Sequence, residues 1–171
     1  MYSPGFVSLL QPDLVLGGRV LELTPERLKH LGLRGLVLDV DDTIVSTKER
    51  DLSPDFLSWL TEINQVVQVS LVSNNINRSR ISRIADSLDL PYAFGAAKPS
   101  RRKLRPVVTQ MALPFEQVAM VGDRILTDVL AGNRLGMFTI LVDPVAKASL
   151  LRTLELKVFR SLSSATKTLT Q

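Results

Sequence analysis

Two hydrophobic periodicities alternate along this chain. Short continuous apolar runs, Leu36 to Val40, Gln68 to Val72, Val118 to Val121 and Phe138 to Val142, are each bounded by polar or turn-forming residues. Such runs predict buried strands, and a shorter one is expected near Tyr92 and Ala93. Between them apolar residues recur every three or four positions. Phe56, Leu57, Leu60 and Ile63 follow the helix-start signal Ser53-Pro54, and Thr24-Pro25 opens a short helix to about Leu31, closed by Gly32. Ile81, Ile84, Ala85 and Leu88 predict a helix over 78–88; further helices are expected over 104–111 and 127–135. Strands alternating with helices at this spacing predict an α/β fold, with a mainly parallel central sheet covered by helices on both faces.

The sharpest break in the pattern is LVLDVDDT, residues 36–43, where an apolar run meets three carboxylates. Asp39 and Asp41, two apart on an extended chain, point the same way. Carboxylates facing one point repel unless a cation or proton lies between them, and a hard divalent cation is the natural occupant. An EF-hand loop opening at Asp39 is excluded, because it needs Gly and Glu where Ile44 and Arg50 stand. Other predicted strands also end in polar groups: Ser73 and Asn74, then Lys98, then Asp123 with Asp128. In a parallel sheet these ends share one edge, where open α/β sheets bind their ligands.

Composition narrows the chemistry. The 171 residues suit one domain, expected as an N-terminal apolar extension with a short helix (1–32), a core (33–143) and a basic C-terminal segment (144–171). There is no cysteine, and His30 is the single histidine, which removes thiolate chemistry and multi-histidine zinc sites. Net charge is +4, and the segment from Pro144 onward accounts for all of it, with Lys147, Arg152, Lys157, Arg160 and Lys167 against Glu155. A neutral body with a basic end suggests an anionic surface nearby. No apolar run is long enough to span a bilayer and no secretory signal is evident, so the expected location is the cytoplasm, with peripheral membrane contact open. The apolar, Pro- and Gly-broken residues 1–18 either pack on the body or lie shallowly in a lipid interface, packing being the favoured expectation.

Together the converging groups suit phosphoryl transfer. Asp39 would attack phosphorus, magnesium held by Asp39, Asp123 and the main-chain carbonyl of Asp41 would screen the charges, and the Asp41 side chain would serve as acid and then base. Ser73 would donate to a phosphoryl oxygen, Lys98 would balance remaining charge, and Asp128 would hold the metal's waters or orient Lys98.

These residues resemble the motifs of the haloacid dehalogenase-like phosphohydrolase superfamily. Its Asp-x-Asp-x-Thr motif corresponds to Asp39, Asp41 and Thr43, its serine to Ser73 in SLVSNN, its lysine to Lys98 in AAKPS, and its last motif to Asp123 and Asp128 in GDRILTD. The resemblance implies a Rossmann-like three-layer sandwich, a magnesium cofactor and phosphatase activity, with metal ligands among Asp39, Asp41, Asp123 and Asp128. Thr43, Asn74, Asn75 and Arg78 are the expected substrate contacts. Asp42 departs from the glycine that many members carry.

Only 29 residues separate Thr43 from Ser73 and 24 separate Ser73 from Lys98, which leaves no room for a cap domain. An open site suits a phosphate carried on something large. The chain is also similar to a capless branch that includes phosphatidylglycerophosphate phosphatases, which implies a lipid substrate. Arg101, Arg102, Lys103 and Arg105 beside Lys98 are the expected contact with anionic lipid. A phosphatase of soluble phosphomonoesters or nucleotides would instead turn over without lipid. A phospho-acceptor receiver module would place its aspartate on a strand between the acidic cluster and the hydroxyl residue, yet Ser73 closes the very next strand. Nucleic acid is not an expected partner, since 5% aromatic content offers few stacking platforms.

Overall fold

The computed structural model describes residues 7–49 and 51–146. Its strands are β1 (Leu14–Val15), β2 (Gly35–Leu38), β3 (Gln68–Val72), β4 (Tyr92–Ala93), β5 (Val118–Gly122) and β6 (Phe138–Leu141). They form one sheet in the order β1-β6-β5-β2-β3-β4, and every pairing is parallel. Helices α1 (Pro25–His30), α2 (Pro54–Ile63), α3 (Arg78–Leu88), α4 (Leu104–Gln110) and α5 (Leu130–Asn133) complete the layers.

The central strands are apolar throughout because both faces are covered. Leu36 and Leu38 of β2, with Ala119 and Val121 of β5, join a core under α1, α2 and α3. The alternate residues Val37, Val118 and Met120 face a second core under α4 and the start of the β6 approach, with Leu104, Val108 and Met137. Helix starts follow the sequence signals: Thr24 Oγ1 accepts from Arg27 N and Ser53 Oγ from Phe56 N, each with proline at the next position.

Beyond shifts of a residue at several element ends, three features differ from the expectations. The predicted helix over 127–135 is a π-helical turn at Ile125–Val129 followed by the short α5. Strand β2 ends at Leu38 rather than Val40, although Asp39 N still donates to Val121 O at 2.9 Å. The third is β1, a strand that the broken apolar pattern before Gly17 concealed. It pairs Leu14 with Ile140 and Val15 with Leu141. Asp13 secures it: Oδ2 accepts from Thr139 N at 2.8 Å and from Thr139 Oγ1 at 2.9 Å. Leu10 packs with Ile125, Val129 and Leu130, so residues 7–18 lie on the body as favoured; Phe6 and the basic segment from Lys147 lie outside the described residues.

Strand order places the site. From β2 the chain moves to β3 and β4 on one side, then crosses back to β5 on the other. The β2 and β5 carboxyl ends therefore flank the switch point, where a crevice opens in such sheets. Among the described residues, 39–67 contain loop and α2, and 73–98 contain α3 and β4, with no further folded insertion over the rim.

Candidate active site

Asp39, Asp41, Asn74, Lys98, Asp123 and Asp128 line one cleft of about 200 Å³ at that switch point, together with Asp42, Thr47, Arg124 and Thr127. Most arrive from strand ends or the loops that follow them, and Thr127 and Asp128 from the π-helical turn after β5. Asp39 follows β2, Asp123 follows β5, and the loop after β4 brings Lys98 across. Asn74 locks that loop in place: its Oδ1 accepts from Lys98 N at 2.7 Å and its Nδ2 donates to Lys98 O at 3.1 Å.

The Lys98 ammonium is buried between two carboxylates, 2.5 Å from Asp39 Oδ1 and 2.7 Å from Asp128 Oδ1, and it donates to Val72 O at 3.1 Å. Burial alone would lower the lysine pKa, but Asp128 and Asp39 outweigh it and raise it, so the ammonium stays charged. The Asp39 carboxyl is pushed up to about 7 by burial, opposed by Lys98 and reinforced by Asp128 and Asp123.

Asp39, Asp123 and Asp128 each offer a carboxylate oxygen, and these atoms lie within 4.8 Å of one another. All three residues are buried. Three carboxylates against one ammonium leave this group of four negative, and an all-oxygen donor set of that charge fits a divalent cation. Asp128 Oδ1 adds to the fit: it is buried and, beyond its ion-pair contact with Lys98, accepts no directed hydrogen bond. The π turn aims this residue inward, while Arg124 N donates to its Oδ2 at 3.2 Å.

The Asp41 carboxylate stands apart from that cluster, which leaves its side chain outside the set of grouped carboxylates. Its Oδ2 accepts from Ser73 Oγ at 3.0 Å and its Oδ1 from Arg80 Nη2 at 3.2 Å. Ser73 is fully buried and also accepts from Asn75 N at 2.9 Å, so its hydroxyl faces Asp41 rather than the open cleft.

Of the other expected contacts, Thr43 is fully buried and donates from Oγ1 to Asp39 Oδ2 at 3.4 Å. Asn75 lies off the cleft wall and its Oδ1 accepts from Asn77 N. Arg78 is exposed and sits over the Phe94 ring at 5.6 Å. Besides Arg124 on the cleft wall, Arg80 reaches the Asp41 carboxylate, its Nη1 donating to Glu49 O at 2.6 Å and its Nη2 to Ser46 O at 3.1 Å. The basic cluster is likewise rearranged. Arg101, Arg102 and Arg105 share a groove with Arg134, whereas Lys103 Nζ donates to Phe94 O.

Asp42 resolves the one departure from the motif. Its φ is +62°, a left-handed conformation natural to glycine and tolerated by aspartate.

With a parallel sheet, a switch-point carboxylate cluster and a buried lysine on it, the chain belongs to the HAD-like hydrolases and is a capless phosphatase of that superfamily. The HAD-hydrolase-like family model matches residues 95–152. The chain is 36% identical over 130 residues to the probable phosphatase YqeG of Bacillus subtilis, covering 75% of each. It is 28% identical over 127 residues to the chloroplastic phosphatidylglycerophosphate phosphatase 1 of Chlamydomonas reinhardtii, covering 69% of this chain and 47% of that one, so it spans less than half the algal protein. In fold it is similar to the cobalt-bound deoxy-D-mannose-octulosonate 8-phosphate phosphatase (YrbI) of Haemophilus influenzae, with a TM-score of 0.51 and 16% identity over 74% of this chain and 77% of that one. No helix among the described residues is long and apolar enough to cross a membrane.

Proposed function

We propose that the chain hydrolyses a phosphomonoester through a phosphorylated Asp39, with magnesium as its cation and phosphatidylglycerophosphate as its substrate. The observation that carries the reading is the meeting of Asp39, Lys98, Asp123 and Asp128 in one open cleft at the switch point. Asp39, Asp123, Asp128 and the Asp41 main-chain carbonyl would hold the metal. Bound there, magnesium would screen carboxylate from phosphate and polarise a phosphoryl oxygen.

The residues of the chain account for the remaining steps. An Asp39 oxygen forms the new bond to phosphorus as the bond to the leaving alkoxide breaks, and Asp41, entering this step in its protonated form, gives that alkoxide its proton. Asp41, now ionised, takes a proton from water as the water attacks the phosphoaspartate. Inorganic phosphate leaves and Asp39 is restored. Ser73 and Arg80 hold the Asp41 carboxylate for both transfers. Lys98 keeps Asp39 in place and balances its charge, while Thr43 steadies it from below.

Two observations support a lipid substrate. No insertion covers the cleft among the described residues, so a head group can be presented from a bilayer, and the algal relative is named for that activity. The groove of Arg101, Arg102, Arg105 and Arg134 is a cationic patch that would let the protein rest on an anionic bilayer. The test is phosphate release by purified protein with magnesium, comparing phosphatidylglycerophosphate in mixed micelles with soluble phosphomonoesters. Preference for the lipid is expected. Faster turnover of every soluble ester would overturn the lipid assignment, and no release from any substrate would overturn the hydrolase.

A further inference from the structure

A second groove, of about 530 Å³, adjoins the catalytic cleft and is unused by the chemistry above. Lys48, Asn77, Ser79, Arg80 and Arg83 line it, and Thr47 lines both cavities. The boundary between them is the Arg80–Asp41 ion pair at 3.2 Å. We propose that this groove is a subsite for a second anionic group on the substrate's leaving side, a phosphodiester or a further phosphate, held by Lys48 and Arg83 beside the fixed guanidinium of Arg80. The inference rests on the phosphomonoesterase reading of Asp39 and deepens it by naming the substrate class.

Three observations carry it. Arg80 is balanced by Asp41 at the boundary, and of the other charged liners Lys48 and Arg83 outnumber the one acidic residue, Glu49, so the groove is net cationic beside a cleft built from carboxylates. A substrate with one phosphate at Asp39, screened there by the bound cation, and another anion a few bonds away would bring its second charge opposite Lys48 and Arg83. Secondly, Arg80 is pinned by Glu49 O, Ser46 O and Asp41, while its buried Nε has no hydrogen-bond partner among the described residues. A guanidinium held this way presents its charge without losing freedom when a ligand arrives. Thirdly, the departing oxygen passes Asp41, its proton donor in the proposed reaction, so the atoms that follow it run over the boundary into this groove. The amino end of α3 is not what attracts the anion, because Asn77 Oδ1 already accepts from Arg80 N and from Ser79 Oγ.

The test uses Lys48→Gln with Arg83→Gln in the full chain, with magnesium, after confirming an unchanged melting temperature. Three substrates are compared: glycerol 1-phosphate, with one anionic group; glycerophosphoglycerol phosphate, the soluble head group with two; and phosphatidylglycerophosphate in mixed micelles. Wild type is expected to prefer the two-anion substrates, and the double variant to lose about tenfold or more in kcat/KM on them through KM, with glycerol 1-phosphate unchanged. Equal sensitivity of the soluble and micellar two-anion substrates assigns the subsite to the diester alone; a larger loss on micelles assigns it to the diester presented by lipid. Equal losses on all three, or no preference in wild type, would overturn the subsite and leave the phosphatase standing. Failure of wild type on every substrate would overturn the phosphatase and the subsite together.

Discussion

The carboxylate of Asp128 occupies the space in which a side chain on Gly122 would begin. A Cβ built at Gly122 meets Asp128 Cγ and Oδ2 closer than any real Cβ contact. The glycine at the end of β5 therefore sets the depth at which the Asp128 carboxylate can lie. Gly122→Ala must displace Asp128 or the strand, and overpacking of this kind costs about 1 to 3 kcal/mol. We expect a lower melting temperature and magnesium-dependent phosphate release down by at least tenfold. Wild-type activity in that variant would show that Asp128 does not need its present position.

Asp39 links stability to pH. Its folded-state pKa of about 7 stands above the ordinary 3.8, principally because the carboxyl is buried. The folded protein thus holds a proton that the unfolded chain releases in this window. The stability contributed by the group is full below 3.8 and is lost as pH rises through about 7. In the absence of metal, the melting temperature of wild type should fall from pH 4 to pH 8 relative to Asp39→Asn, which has no carboxyl to titrate. Magnesium should remove the difference by favouring the charged form. Parallel melting curves for the two metal-free proteins would contradict this, and phosphate release by Asp39→Asn would remove it as nucleophile.

Lys98 is held by two buried carboxylates, so its removal leaves both without their counter-charge. Breaking a buried pair in this way costs about 3 to 5 kcal/mol. Lys98→Met should therefore lower the melting temperature by on the order of 10 °C. Adding Asp39→Asn to it should restore part of the loss, because the two changes act on one network. Simple additivity, measured by thermal denaturation of the four proteins, would mean the ammonium and carboxylate are not coupled.

At Asp42 the left-handed backbone permits a graded comparison. Asp42→Gly should stay within about 1 kcal/mol of wild type, since glycine adopts this φ freely but loses more chain entropy. Asp42→Val should cost about 1 to 2 kcal/mol, because a Cβ branch crowds the carbonyl there. Denaturant midpoints in the two variants decide it, and equal midpoints would count against the conformational argument.

Membrane contact has its own measurement. Neutralising Arg101, Arg102 and Arg105 together removes three charges worth about 1 kcal/mol each near an anionic bilayer. Binding to vesicles containing anionic lipid should fall about a hundredfold, with hydrolysis of a small soluble ester little changed. Equal losses in both assays would assign the cluster to the active site instead.

Much of this site could be read along the chain because a parallel sheet turns sequence order into spatial convergence. Once β2, β3 and β5 were marked by their apolar runs, Asp39, Ser73 and Asp123 had to share an edge, and the structure places them there. What escaped was set by direction rather than position. Arg78 and Arg80 are two residues apart, which on a helix is about 200° of rotation, so the first faces Phe94 and the second Asp41. Periodicity gives no such azimuth for a residue in the first turn. The π turn was hidden for a related reason: it is defined by where Asp128 N and Val129 N donate, both to Arg124 O, and not by which residues are apolar. Thr43 was visible as part of the motif, but its complete burial depends on the loop 41–45 folding back so that Asp42 N donates to Val45 O.

The short strand β1 has a consequence beyond packing. Without it β6 would border solvent, with a row of amides and carbonyls open to pairing with another molecule. Leu14 and Val15 cap that row for only two residues before Gly17 turns the chain away, too brief a stretch to recruit a further strand in its turn. The side of the sheet beyond β6 thus offers a further strand only a two-residue edge on which to pair.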